Sequence, residues 1–224
     1  QRYSNSYHYA TLYDRDRRIP VYSAYKYQPG PGNGSGLWFV EPELIDNNNL
    51  KEMETESVLI DQHKFTLDQI KASQAVLDDY KQLIGLDHGH LNPSGHQNSI
   101  ESKTATFTLT NVVPQDSSLY TGWWNVYEFT TMPKMSKGCT TTYVITGAVP
   151  GNSYVADGRI NRPSHIWSAA CCLVGTQPNM AWGAIAENDK NQVENLSLGD
   201  LEARLSALYR GRTVTLFNNA CPRQ

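Results

Sequence analysis

The sequence predicts an α+β fold with a central antiparallel sheet flanked by helices, and three features predict it. Two Tyr-rich segments, residues 7–13 and 18–27, read as strands joined by the charged turn Asp14-Arg15-Asp16-Arg17, the pattern of a hairpin. Further strand-like runs recur at residues 141–147, 165–174 and 181–186. Residues 66–83 and 200–209 carry apolar side chains at helical spacing. Strands mixed with helices and no internal repeat lead to a single domain spanning residues 1–224.

Residues 28–36 are rich in Gly and Pro and read as a loop, and the acidic, Asn-rich stretch 41–64 as a surface excursion. Thr66 and Gln69 suit a capping box opening the helix predicted over 66–83. The alternation in residues 104–110 (TATFTLT) predicts a half-buried strand, broken by Asn111-Val112-Val113-Pro114-Gln115. A helix over 117–130 carries Leu119, Trp123, Trp124 and Tyr127 in spite of Gly122. After the helix at 200–209, with Asp200 near its N-terminal end, a last strand is expected at 213–217.

Of the 224 residues, 39% are hydrophobic and 18% charged, which excludes a disordered chain. The formal net charge of −3 argues against a generally basic nucleic-acid-binding surface and leaves room for a local one. No apolar run approaches the roughly 18 residues that span a bilayer, so no membrane partner is expected. Gln1 leads directly into strand-like sequence, which reads as a mature or trimmed chain. The five tryptophans read as packing rather than a base-stacking platform, and Arg15, Arg17 and Arg18 as a solvated hairpin end.

The four cysteines are Cys139, Cys171, Cys172 and Cys221, with no Cys-x-x-Cys pair to suggest a thiolate zinc site. An even count with Tyr-rich strands fits two disulfides and an oxidising compartment, hence a secreted protein. On a strand, neighbouring Cys171 and Cys172 would point to opposite faces. Each would then need its own partner from Cys139 and Cys221, in a pairing left open. Sequons at Asn33-Gly34-Ser35 and Asn195-Leu196-Ser197 make Asn33 and Asn195 glycosylation candidates.

The segment Leu86-Asp87-His88-Gly89-His90-Leu91-Asn92-Pro93 carries the chemistry. A neutral imidazole at His90 can take a proton from water. Asp87 could orient an imidazole, and His88, His90 and His96 could hold a metal, although their irregular spacing speaks against it. Taken alone, the stretch reads as a His-containing surface turn.

Residues further along the chain give it context: Thr110-Asn111-Val112-Val113-Pro114-Gln115, then Leu119, Trp124 and Glu128. With these residues the chain resembles the DNA/RNA non-specific endonucleases. Their signature is Asp-Arg-Gly-His on a strand, then Asn-x-x-Pro-Gln, then a helix bearing Asn, Trp and Glu. The blocks at residues 10–25, 105–111, 139–150 and 167–172 are similar to those of vertebrate secreted endonuclease-domain-containing proteins. The resemblance covers nearly the whole chain and implies a disulfide-stapled ββα-metal nuclease fold. It gives His90 the role of activating water and Glu128 that of supporting the water shell of one divalent metal, usually magnesium, held by the helix Asn. Arginines in the family clamp the phosphate.

The chain departs from that pattern where charge matters most. Tyr120 stands in place of the metal-binding Asn, and a phenol is a poor ligand for a hard cation at neutral pH. His88 stands in place of the motif Arg, and a second phosphate-binding Arg falls near Gly36. Losing donors aimed at the transition state costs orders of magnitude in rate. Asn125, five residues beyond Tyr120, is expected to point elsewhere; Asn111 reads as a turn former and Gln115 as a backbone cap. The leading expectation is a catalytically impaired nuclease-fold protein that binds an extracellular ligand. Its competitors are an active magnesium-dependent endonuclease acting on nucleic acid, and a structural or storage protein on the same scaffold.

Overall fold

The computed structural model describes residues 1–46 and 48–224. The chain opens with β1 (Arg2–Tyr3) and β2 (Ser6–Tyr7), then β3 (Ala10–Asp14) and β4 (Ile19–Lys26). Two short helices, α1 (Glu56–Asp61) and α2 (Leu67–Ser73), lead to β5 (Leu86–His90), α3 (Ile100–Ala105) and β6 (Val112–Asp116). A helical run comes next: α4 (Ser117–Thr121), α5 (Trp123–Val126), a π-helical turn (Tyr127–Thr131) and α6 (Met132–Ser136). The second half holds β7 (Thr141–Val149), β8 (Ser153–Val155), β9 (Ile160–Arg162), β10 (His165–Val174), β11 (Gln177–Glu187), β12 (Glu194–Leu196) and α7 (Leu198–Leu208).

Six strands form one antiparallel sheet in the order β12-β11-β10-β7-β4-β3. Its central strands are buried on both faces, so β10 reads as a nearly continuous apolar run rather than an alternation. Ile166, Ala170 and Cys172 face the larger core, which also holds Leu91, Leu119, Trp124 and Tyr127. Trp167, Ala169 and Cys171 face a smaller core closed by Leu198, Leu201 and Leu205 of α7.

The tandem cysteines obey this alternation. Cys172 is bonded to Cys139 on one face and Cys171 to Cys221 on the other. One bridge ties the end of the α4–α6 run to the sheet; the other ties down the C-terminal segment. Their sequence separations of 33 and 50 correspond to about 4 kcal/mol each in the chain-entropy picture of loop closure.

Several local expectations are corrected. The helix over 66–83 is two pieces, α2 and a 3-10 turn at Leu77–Tyr80. Between them Gln74 is extended and buried, and its amide exchanges two hydrogen bonds with the Glu41 backbone. The capping box of Thr66 and Gln69 is present. Residues 104–110 are not a strand: α3, capped by Ser99, runs into them, and the run ends in a 3-10 turn at Leu109–Asn111. The alternating threonines are buried with hydroxyl bonds, as in Thr106 to the Lys103 carbonyl, and this polar satisfaction mimicked a strand pattern. Most of the break read at 111–115 is strand, since β6 spans Val112–Asp116. The 213–217 segment pairs with no strand, because Val214 N–H and Leu216 N–H donate to Ser206 and Glu202 of α7. The 41–64 stretch is more than surface: Ile45, Met53 and Leu59 are buried in the core. Asn47 of that stretch lies outside the described residues.

Arg159 joins these pieces. Its guanidinium bonds both carboxylate oxygens of Asp79 at 2.8 and 3.2 Å and caps the open carbonyls of Lys71 and Gln74. It thereby holds the 3-10 turn that presents Tyr80 to β5. The pair is buried, with side-chain exposures of 19% for Arg159 and 5% for Asp79, so removing one partner leaves a charge without compensation. Arg159→Met is expected to lower stability by about 3 kcal/mol in urea denaturation. Asp79→Asn in the same background should restore part of that loss, and no restoration would assign the whole effect to the lost carbonyl caps.

Candidate active site

The site is built on the β5–β6 pair, in which Gly89 lies opposite Val113 and His90 opposite Val112. The Gly between the two histidines has a steric reason. A Cβ at Gly89 would lie 2.6 Å from Gln115 Oε1 and 2.7 Å from Gln115 Cβ, so only Gly lets that side chain cross the strand. The period of two places His88 and His90 on one face. There they join an aromatic column in which Tyr80 stacks on His88 at 4.8 Å, and Trp38 stacks on His88 at 4.8 Å and on His90 at 5.4 Å. Phe107 meets the His90 ring edge-on at 4.9 Å. The segment expected from its residues alone to be a surface turn is therefore a strand.

The column sets the chemistry of both rings. Burial lowers the His88 imidazole below its ordinary range, against the opposing pull of Asp87. Sandwiched and neutral, His88 cannot do the work of a guanidinium clamp. Burial pushes His90 down to about 4, with neighbouring His88 acting in the same direction. His90 Nε2 is sealed from solvent and has no hydrogen-bond partner. It is a neutral imidazole with an unused nitrogen, in a residue that lines the cavity beyond β5.

The helix side of the site depends on a break. Asp116 caps α4 through Leu119 N–H. Gly122 then leaves helical geometry at φ −99° and ψ −122°, and Asn191 Oδ1 accepts from Trp123 N–H at 2.7 Å to start α5. The break resets the helical phase. Tyr120 and Thr121 before it, and Asn125 and Glu128 after it, all line one cavity. The expectation that Asn125 points elsewhere is thus corrected: five residues of continuous helix would have turned it away, and the helix is not continuous.

Glu128 is held through its backbone. Met132 N–H donates to Tyr127, as the π-helical turn requires, and the next residue, Pro133, has no N–H to offer. The Glu128 carbonyl is left over, and His96 Nε2 bonds it at 2.8 Å. His96 Nδ1 pairs with the Tyr25 hydroxyl of β4 at 2.8 Å. Both ring nitrogens are committed, so His96, a metal candidate on sequence, is a strut between sheet and helix. Burial pushes it down to about 4, against the Glu128 carbonyl, which stabilises the cation. No residue pattern signalled this role except a Pro five residues after a Glu. Burial of the Glu128 carboxyl pushes it up to about 8, opposed by a hydrogen bond from Trp124.

Asn111 and Gln115 also differ from expectation. Asn111 Oδ1 accepts from Ser23 Oγ at 2.8 Å and Asn92 N–H at 3.0 Å, and its Nδ2 donates to the Asn92 and Thr106 carbonyls at 3.0 Å. It fixes the loop after His90 rather than forming a turn alone. Gln115 caps nothing: its side chain is buried, and its Nε2 has no partner.

Together these groups enclose a cavity of about 350 Å³. His90, Gln115, Tyr120, Asn125 and Glu128 supply its polar wall, and Phe107 and Phe129 its apolar one. None of its 11 lining residues is Lys or Arg. Lys103 is buried behind the Pro93–Gly95 loop with its ammonium on the Ser94 carbonyl. Burial, together with Asp87 and Glu128, holds the Tyr120 phenol above its ordinary range and so protonated. Among the described residues no three His, Cys, Asp or Glu side chains group as a metal cage. The wall offers one carboxyl and, at position 120, a phenol, which is a poor ligand for a hard cation at neutral pH. These residues do not fit a divalent ion held at position 120.

A histidine-bearing strand, a partner strand and a helix whose Glu faces the same cavity define a ββα nuclease fold beside a large antiparallel sheet. The chain belongs to the DNA/RNA non-specific endonuclease family, which it matches over residues 1–222. It is 31% identical over 230 residues to the endonuclease domain-containing 1 protein of Homo sapiens, covering 99% of this chain and 43% of that one. With the Mus musculus protein of the same name the identity is 32% over 216 residues, covering 92% of this chain and 40% of that one. The chain thus spans less than half the length of these relatives. A chain in the crystal structure of the EndoG/EndoGI complex shares the fold at a TM-score of 0.58 and 17% identity, covering 91% of this chain and 82% of that one.

His90 and His96 give the site a pH signature. Both are held below the ordinary histidine value of 6.5, at about 4, so the folded chain prefers them neutral. That preference stabilises fully above pH 6.5 and is lost as the pH falls through 4. For His96 it is on the order of 3 kcal/mol. Thermal melts should show falling stability across this window, with a shallower fall in His96→Gln, whose amide can bond both Tyr25 and Glu128. A folded-state NMR titration of His96 near pH 6.5 would contradict the assignment.

Proposed function

We propose that this chain is an endonuclease-fold protein with impaired phosphodiester hydrolysis that acts by binding a ligand in its cavity. The observation that carries this reading is the cavity wall: no Lys or Arg lines the space, and Tyr120, which the family resemblance sets at the place of the cation-binding amide, stands on it. Phosphoryl transfer is catalysed chiefly by positive charge placed on the phosphate oxygens. His90 keeps the position of the general base, but at about 4 it is a weak one at neutral pH. His88, where the motif has Arg, is stacked in the aromatic column and stays off the cavity wall.

The second reading, an active divalent-metal-dependent endonuclease, is favoured by one observation. Asn125 lines the cavity together with Glu128. In that case its amide oxygen and the Glu128 carboxyl would hold the ion one turn further along than the family pattern places it.

Two disulfides support an extracellular setting, and no helix among the described residues is long and apolar enough to cross a membrane. Both sequon asparagines, Asn33 and Asn195, are exposed; glycans there should appear as mass losses on enzymatic deglycosylation of protein secreted from eukaryotic cells.

A plasmid-nicking assay with magnesium, with manganese and with chelator separates the two main readings. The expected result is no metal-dependent cleavage above a His90→Ala control. Metal-dependent cleavage that His90→Ala abolishes would establish the active reading, and Asn125→Ala would then show whether the shifted amide carries it. Tyr120→Asn with His88→Arg is expected to gain manganese binding, measured by paramagnetic broadening; failure to gain it would mean that more than these two positions closes the site to cations.

A further inference from the structure

We infer that the cavity is a receptor for a neutral, planar, hydrogen-bonding heterocycle of the nucleobase or nucleoside class, rather than for a phosphodiester. The inference rests on the binding reading above and names the ligand chemistry for that same site.

Three observations carry it. The first is a pair of unsatisfied polar atoms. Gln115 is only 2% exposed, and its Nε2 has no hydrogen-bond partner. His90 Nε2 is likewise sealed and unpaired. Both residues line the cavity. A buried donor left without a partner costs roughly 1–3 kcal/mol, and buried polar groups are normally paired. A ligand in the cavity that brings acceptors and donors on a rigid edge would offer these two side chains the partners that the protein itself does not. Asn125, on the opposite side, adds an amide able to give and accept.

The second is the shape and lining of the space. At about 350 Å³ it sits at the lower end of small-molecule sites, which run roughly 300–1,000 Å³. Phe107 and Phe129 are aromatic walls, and the Tyr120 ring, 36% exposed, stands at the helix side. Gly95 lets the Phe129 ring lie against the loop, since a Cβ there would meet Phe129 Cε1 at 2.4 Å and turn the ring aside. Flat faces with a few convergent polar groups suit a heterocycle held by stacking and edge hydrogen bonds.

The third is charge. No Lys or Arg lines the cavity, while Asp87 acts on Tyr120 from outside it. Lys103, the cation behind the loop, already has its ammonium on the Ser94 carbonyl. A phosphodiester would have to shed its water for a wall with no compensating charge, a cost that an uncharged ring does not carry.

The heterocycle has two sources, a free nucleoside or an unpaired base of a strand, and the test separates them. Adenosine, guanosine, cytidine and uridine are titrated into the intact protein by calorimetry and by ligand-observed NMR. Beside them run the corresponding 5′-monophosphates, inorganic phosphate, and a short single-stranded oligonucleotide with its abasic counterpart. At least one nucleoside should bind saturably and at least fivefold more tightly than its monophosphate. Gln115→Met, which keeps the volume and removes the amide, and Phe129→Ala, at a surface-reaching ring, should each weaken binding tenfold or more with an unchanged circular dichroism spectrum. An oligonucleotide that binds more tightly than its abasic counterpart assigns the strand as source; nucleoside binding without that difference assigns the free molecule. Tighter binding of phosphate or monophosphates than of nucleosides overturns the inference. So does the absence of nucleoside and base-dependent binding in folded protein. Metal-dependent nicking would instead defeat the impaired reading, and it is scored separately in the assay above.

Discussion

The carboxamide of Asn111 fixes where the β5–β6 pair sits relative to the large sheet, and the site depends on that placement. Its oxygen accepts from Ser23 of β4 and from the Asn92 backbone, and its nitrogen donates to the Asn92 and Thr106 carbonyls. All four of its hydrogen-bonding positions are used in a wholly buried setting, where each bond is strengthened and each loss is costly. Through Ser23 the amide holds the sheet, through Asn92 the loop after His90, and through Thr106 the end of α3. His96 makes the matching connection on the helix side, from Tyr25 of β4 to the Glu128 carbonyl. Neighbouring stretches of one strand therefore place the two walls of the cavity.

Much of the sheet was legible in the sequence because its signals are local. The β3–β4 hairpin arises from two Tyr-rich runs around a charged turn, and the tandem cysteines bond on opposite faces because a strand alternates. What misled was polarity. The threonines of 104–110 alternate as strand residues do, yet burial with hydroxyl bonds to nearby backbone makes them part of a helix end and a turn. Gln74 gave no sign of ending a helix, since the reason is a partner more than thirty residues away in Glu41.

The site was legible in its cast and much less in its geometry. The family resemblance singled out His90, Glu128 and Tyr120, and all three line the cavity. Trp38 and Tyr80, which bury the imidazoles, come from remote segments whose stacking no motif announces. Asn125 was misplaced for a different reason. A helical wheel assumes an unbroken helix, and Gly122 with Asn191 interrupts it. The glycine was visible in the sequence; the side chain that caps the next helix was not.

Desolvation ties these features into one electrostatic state. The stacking that buries His90 holds it neutral, and the packing around Glu128 holds its carboxyl protonated near neutrality. A ββα site that worked on phosphates would need the reverse, since a bound cation and guanidinium groups would keep the carboxylate ionised and draw the anion in. In the proposed reading, a site without that arginine and that amide lacks the groups that would hold a cation and an anion in a hydrated cavity. The aromatic rings packed around His88 and His90 make a charge there costly to bury. On that reading positions 88 and 120 are coupled through solvent rather than independent, and His88→Arg or Tyr120→Asn alone would place a charge or a metal-seeking amide in surroundings that favour neutral groups.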